Sequence, residues 1–98
     1  MEDDHVLYTR GAAPGSQHFA CQFGGDQLTS FQGLKYAIAG GLSAAASGLP
    51  FWGVDAGGYD GFPDQETYLR WTEYAAFCPL MRFHGTEPRE PWEYDALQ

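Results

Sequence analysis

Gly48-Leu49-Pro50-Phe51-Trp52-Gly53-Val54-Asp55-Ala56-Gly57-Gly58-Tyr59 is the stretch on which the fold turns. Its apolar run, Leu49 to Val54, is short and closes against the turn-forming Ala56-Gly57-Gly58, which is the signature of a buried strand. Pro50 lacks a backbone donor and fits best at the first position of that strand. Three similar runs occur elsewhere: Val6-Leu7-Tyr8, Phe19-Ala20-Cys21-Gln22-Phe23 and Leu80-Met81-Arg82-Phe83. Each is flanked by Gly, Pro or polar residues, as a strand bounded by turns requires.

The residues on either side of the central strand read as helices. On the N-terminal side, Thr29-Ser30-Phe31-Gln32 has the Thr-x-x-Gln form of a capping box. Phe31, Leu34, Ile38, Leu42 and Ala45 then recur at helical spacing and predict one buried stripe. Gly48 is placed to end that helix in the left-handed conformation. Gly40 and Gly41 each weaken a helix interior by about 1 kcal/mol relative to Ala, a cost that implies close packing against a neighbour. On the C-terminal side a second helix opens at Asp64, runs through Tyr68, Trp71, Ala75 and Cys78, and is halted by Pro79.

The order is therefore strand, loop, strand, helix, strand, helix, strand, followed by a polar tail from Thr86. Strands that alternate with helices imply an α/β class with parallel pairing and crossover connections. The link between the first two strands, about ten residues, is near the lower limit for a crossover. Ninety-eight residues suffice for one ordinary domain, and no linker or repeat divides them, so residues 1–98 read as one unit.

Five Lys and Arg stand against thirteen Asp and Glu, a net charge of −8. With no basic run or stripe, nucleic acid and anionic membrane surfaces are excluded as natural partners. The acidic start Met1-Glu2-Asp3-Asp4-His5 is unlike a signal peptide, and no apolar run reaches membrane-spanning length, so a soluble chain is expected. Cys21 and Cys78 lie in apolar surroundings and read as reduced core residues. His5, His18 and His84 have no metal-like spacing. The segment from Asp55 to Gly61 lacks the alternating ligands and closing glutamate of a calcium loop. No glycine motif cradles phosphate. Neither metal nor cofactor is expected.

The chemistry is expected at the strand ends. Each predicted strand is followed closely by an ionisable residue: Arg10, Asp26, Asp55 and His84. In parallel α/β architectures the carboxyl ends of the strands share one face, where sites collect. Each residue also has a plainer reading. Asp26 and Asp55 are good turn residues after glycine or before it, Arg10 reads as a surface charge, and His84 as a structural histidine. Their shared position favours a functional face. The aromatics Phe23, Phe51, Trp52, Tyr59 and Trp71 read first as core, and of them Phe23 and Tyr59, near strand ends, are the best placed to stack on the apolar face of a sugar.

Together these residues resemble glycoside hydrolase family 31. The resemblance is carried by Arg10 ahead of Gly15-Ser16-Gln17, by Phe23-Gly24-Gly25-Asp26, by Gly48 to Tyr59, by Arg70-Trp71 and by Arg82-Phe83-His84-Gly85. It implies part of a (β/α)8 TIM barrel, with about four parallel strands and two main helices. It also implies a retaining α-glycosidase of the α-glucosidase or α-xylosidase type. By the same resemblance Asp26 matches the general acid/base, while Arg10, Asp55 and His84 match residues that hydrogen-bond the sugar. Phe23 stands where the family usually has Trp, and Ala56 where Ile is common.

The family's nucleophile lies in a Trp-x-Asp-Met-Asn-Glu-like segment that this sequence lacks, and a full barrel takes about 250 residues. The expectation is a fragment matching the C-terminal half of the barrel, inactive by itself. Its partners would be an oligosaccharide or α-glycoside and either the missing N-terminal barrel half or a second copy. One alternative is a non-catalytic carbohydrate-binding or scaffold fragment; another is a small self-contained hydrolase that uses Asp26 and Asp55 as its pair.

Overall fold

Residues 4–94 are described by the computed structural model. Strands β1 (Tyr8–Arg10), β2 (Cys21–Phe23), β3 (Trp52–Asp55) and β4 (Leu80–Arg82) form a sheet in that order. All three pairings are parallel. Helix α1 (Phe31–Ala46) joins β2 to β3, and α2 (Gln65–Ala75) joins β3 to β4. The link from β1 to β2 carries only a short 3₁₀ turn at Ser16–His18, and another lies at Pro91–Glu93. Sequential parallel strands with intervening helices make this part of an α/β barrel.

The register sorts the side chains into two faces. Arg10 pairs with Phe23, Phe23 with Gly53, and Asp55 with Arg82. Because strand residues alternate, Tyr8, Arg10, Phe23, Asp55 and Arg82 share one face. Trp52 and Val54 occupy the other, against the helices. There Leu34, Ala37, Val54, Ala56, Trp71 and Ala75 form the buried core, with Trp52, Tyr74 and Cys78 packed on it. Trp71 Nε1 donates to Ser30 O at 3.1 Å and Tyr74 Oη to Ala37 O at 3.1 Å, tying α2 to α1.

Several boundaries differ from the expectation, and each has a physical cause. The first strand starts at Tyr8, not Val6; Val6 and Leu7 are exposed because the ladder with β2 begins at Tyr8 and Cys21. Phe19 likewise lies outside β2, its N–H donating to Ser16 O to close the 3₁₀ turn. Leu49, Pro50 and Phe51 precede β3, and Phe83 follows β4. Arg10 and Asp55 are consequently the last residues of their strands rather than the first beyond them.

The N-cap of α1 is Ser30, whose Oγ accepts from Gly33 N at 3.0 Å, so the expected Thr29–Gln32 box does not cap the helix. Of the expected stripe only Leu34 is buried. The buried line is Gly33, Leu34, Ala37 and Gly41, while Phe31, Ile38, Leu42 and Ala45 are exposed. The helix docks through its small residues because Trp52 occupies the space between it and the sheet. A Cβ on Gly41 would lie 2.7 Å from Tyr74 Oη and 3.1 Å from Trp52 Cδ1. The expected close approach is thus present at Gly41, where it turns the large apolar side chains away, while Gly40 makes only ordinary contact with Trp52 at 3.4 Å.

At the far end of α1, Gly48 has φ +85°, with Gly48 N donating to Ala45 O and Leu49 N to Ala44 O, a Schellman closure. Helix α2 starts as expected, Asp64 Oδ1 accepting from Thr67 N at 2.7 Å. It ends at Ala75, so Cys78 lies beyond it. Phe77 N and Cys78 N bond the carbonyls three residues back, tightening the chain before Pro79. Both cysteines are free, and burial pushes both thiols up from their ordinary value.

Candidate functional site

Parallel pairing brings the carboxyl ends of all four strands to one rim. There a cavity of about 240 Å³ is lined by Tyr8, Thr9, Arg10, Phe23, Asp26, Tyr59, Arg82 and His84. Arg10, Phe23, Asp26, Tyr59 and His84 were expected at a site from the sequence; Tyr8, Thr9 and Arg82 were not. Asp55 does not line the cavity.

Asp26 reaches the rim through two glycines with distinct jobs. A Cβ on Gly24 would lie 2.5 Å from the Trp52 ring, and Gly25 has φ +91°. Any other residue at Gly24 would push the turn off the sheet, and most would resist the conformation at Gly25. The Asp26 carboxylate pairs with Arg10 across the cavity at 2.6 Å, their side chains 36% and 63% exposed. His84 is exposed and its ring lies 5.5 Å from that of Tyr59. Phe23 is buried, with Arg82 4.6 Å and Arg10 5.8 Å from its ring centroid. Its ring is therefore engaged by cations as well as bordering the cavity.

Asp55 sits beside the cavity, only 3% exposed. Its Oδ1 accepts a hydrogen bond from Arg82 Nε, and its buried Oδ2 has no protein partner. Burial pushes the Asp55 carboxyl up from the ordinary value, against the lowering influence of Arg82 and His84. The charge of Asp26 adds to the rise, so the two carboxylates sense each other on the same side of the molecule. Enclosed and paired, Asp55 is poorly placed to attack a substrate atom, which weighs against a self-contained Asp26–Asp55 pair.

Arg82 is the residue that sequence reasoning passed over. From β4 it reaches across the face to donate to Tyr8 Oη at 2.8 Å on β1. In doing so it covers Phe23 on β2 and holds Asp55 on β3. The available signal was an arginine inside an apolar run, in register with Asp55 and two residues from His84. Among the described residues no group of three or more His, Cys, Asp or Glu is arranged to hold a metal ion. No helix there is long and apolar enough to cross a membrane.

Two guanidinium groups, an accessible carboxylate, an imidazole and aromatic walls suit a neutral ligand rich in hydroxyls. A profile of the glycosyl hydrolases family 31 TIM-barrel domain matches residues 2–98. The chain belongs to glycoside hydrolase family 31.

An α-xylosidase of Saccharolobus solfataricus is 40% identical over 96 residues, covering 91% of this chain and 13% of that protein. An isomaltosyltransferase of Sporosarcina globispora is 37% identical, with 95% and 9% covered. Among solved structures, the cycloalternan-forming enzyme from Listeria monocytogenes in complex with a pentasaccharide substrate superposes with a TM-score of 0.84. It is 35% identical, over 93% of this chain and 9% of that one. The chain thus spans a small part of the length of these relatives.

Proposed function

We propose that residues 1–98 form one contiguous piece, from the C-terminal half, of a barrel that hydrolyses terminal α-glycosidic bonds, of the α-glucoside or α-xyloside kind. Asp26 is its general acid/base. The supporting observation is the convergence of Arg10, Asp26, Tyr59 and His84 on one cavity at the strand ends.

In the first half of a retaining reaction, Asp26 gives its proton to the departing glycosidic oxygen while a second carboxylate bonds to the anomeric carbon. In the second half Asp26 takes a proton from water, whose oxygen displaces that carboxylate and regenerates it. The attacking carboxylate comes from barrel residues outside this chain. Arg10 and His84 hold the sugar hydroxyls, Tyr59 and Phe23 form the wall, and Asp55 holds Arg82 at the cavity edge. The pair between Arg10 and Asp26 is no obstacle, because half-exposed ion pairs are worth about 0–1 kcal/mol and yield to a competing hydroxyl.

The test is complementation. The purified chain is mixed with the N-terminal half of a family 31 barrel and assayed on aryl α-glucosides and α-xylosides. Turnover that needs both pieces and is abolished by Asp26→Asn supports the reading; turnover unaffected by Asp26→Asn refutes it.

One observation favours a second reading, a carbohydrate-binding or scaffold piece without catalysis. Asp26 is the single carboxylate lining the cavity among the described residues. Under that reading calorimetry detects oligosaccharide binding that survives Asp26→Asn, with no hydrolysis in either setting.

A further inference from the structure

The loop from β3 to α2 carries Tyr59 and is rich in glycine, with φ of +92°, +77° and +105° at Gly57, Gly58 and Gly61. Such a segment has a large conformational entropy to lose, yet Gly57 and Gly58 are buried. What holds it is Arg89, which the functional reading above does not use.

Arg89 is only 3% exposed, and its guanidinium makes no ion pair among the described residues. Instead Nε donates to Gly58 O at 3.1 Å, and Nη2 to Tyr59 O at 3.2 Å and to Gly61 O at 2.6 Å. Nη1 donates to Glu87 O and Pro88 O at 3.0 and 3.2 Å. A guanidinium has five N–H donors, and here each has its own backbone carbonyl. Burying a cation is costly unless every donor is answered, so this arrangement tolerates little change.

The clamp joins two strand-end loops. Tyr59 O also accepts from Thr86 N at 2.8 Å, and Thr86 Oγ1 accepts from Gly61 N at 3.0 Å. Gly85, next to His84, lies against the same head group: a Cβ there would be 2.6 Å from Arg89 Nη2. Arg89 thus fixes the loop bearing Tyr59 relative to the one bearing His84, the two rings that meet at 5.5 Å on the cavity wall. It does this without lining the cavity itself.

We infer that Arg89 is a positioning residue, setting the Tyr59–His84 wall of the sugar site by clamping the carbonyls of Gly58, Tyr59 and Gly61. The functional part of this inference rests on the proposed sugar site; the clamp itself does not.

The test reads the clamp without sugar and then with it. By NMR on the purified chain, the Nε–H of Arg89 should exchange with solvent at least about tenfold more slowly than that of exposed Arg70. Equal rates would overturn the clamp with no variant needed. Arg89→Lys, with three donors for five carbonyls, should lose the Tyr59–His84 ring contact and weaken binding of a xylose- or glucose-containing oligosaccharide. Arg89→Ala should recover both in millimolar guanidinium but not in equimolar urea, a rescue that a general loss of stability would not give. An Arg89→Lys chain that keeps the ring contact and wild-type affinity overturns the inference. If the wild-type chain binds no sugar while the ring contact still depends on Arg89, the functional reading fails and the clamp stands.

Discussion

Replacing Arg82 by methionine removes the hydrogen-bonding partner of a carboxylate that is 3% exposed. Breaking a fully buried pair from one side costs about 3–5 kcal/mol, because the remaining charge is left without compensation. The Arg82 side chain is 36% exposed, so solvent screens the interaction and its share falls below that range, to about 1.5–2 kcal/mol. Loss of the cation over the Phe23 ring adds about 0.5–1 kcal/mol. A net cost of about 2–3 kcal/mol follows at neutral pH.

Urea unfolding at several pH values is the assay. Burial raises the Asp55 carboxyl above 3.8 in the folded chain, so the folded state binds the extra proton and stability falls as pH rises from 3.8 through the raised value. Without Arg82 that rise is larger. The deficit of Arg82→Met should therefore shrink as pH falls toward 3.8, where the Asp55 carboxyl of the folded chain takes up its proton. Asp55→Asn combined with Arg82→Met should be more stable than Arg82→Met at pH 7. A deficit independent of pH, or a double variant less stable than the single one, would refute the burial of charge at Asp55.

Three further outcomes follow from the fold. Gly41→Ala should lose about 1–3 kcal/mol, because its methyl meets Tyr74 and Trp52, whereas Gly40→Ala, with its nearest contact at 3.4 Å, should gain up to about 1 kcal/mol in the same unfolding assay. Ser30→Ala removes the side chain that accepts from Gly33 N and should cost about 1 kcal/mol, measured as a lower midpoint. Because β1 and β4 each pair on one side only among the described residues, sedimentation of the purified chain should show concentration-dependent association; a monomer at every concentration would contradict it.

The parallel sheet was legible because strand runs and helical segments alternate along the chain with clear stops at Gly48 and Pro79. Strand ends were less so: a three-residue strand such as Tyr8–Arg10 is defined by its partner, and hydropathy at Val6 and Leu7 carries no information about that partner. Periodicity points to the wrong face of α1 because it weighs large apolar residues, whereas docking against Trp52 selects the small ones. At the site, Arg10, Asp26 and His84 followed from position at strand ends. Arg82 and Arg89 did not, because their roles depend on distant partners: Asp55 across the ladder and three carbonyls about thirty residues earlier.

Under the proposed function, side chains from separate strands form one rim that receives a sugar ring. The most direct measurement is an NMR titration of the labelled chain with an α-linked glucose or xylose disaccharide, following side-chain signals. Saturable shifts at Arg10, Phe23, Tyr59 and His84 together are the predicted result. No saturable shift, or shifts confined to the exposed α1 face at Phe31 and Leu42, would contradict it.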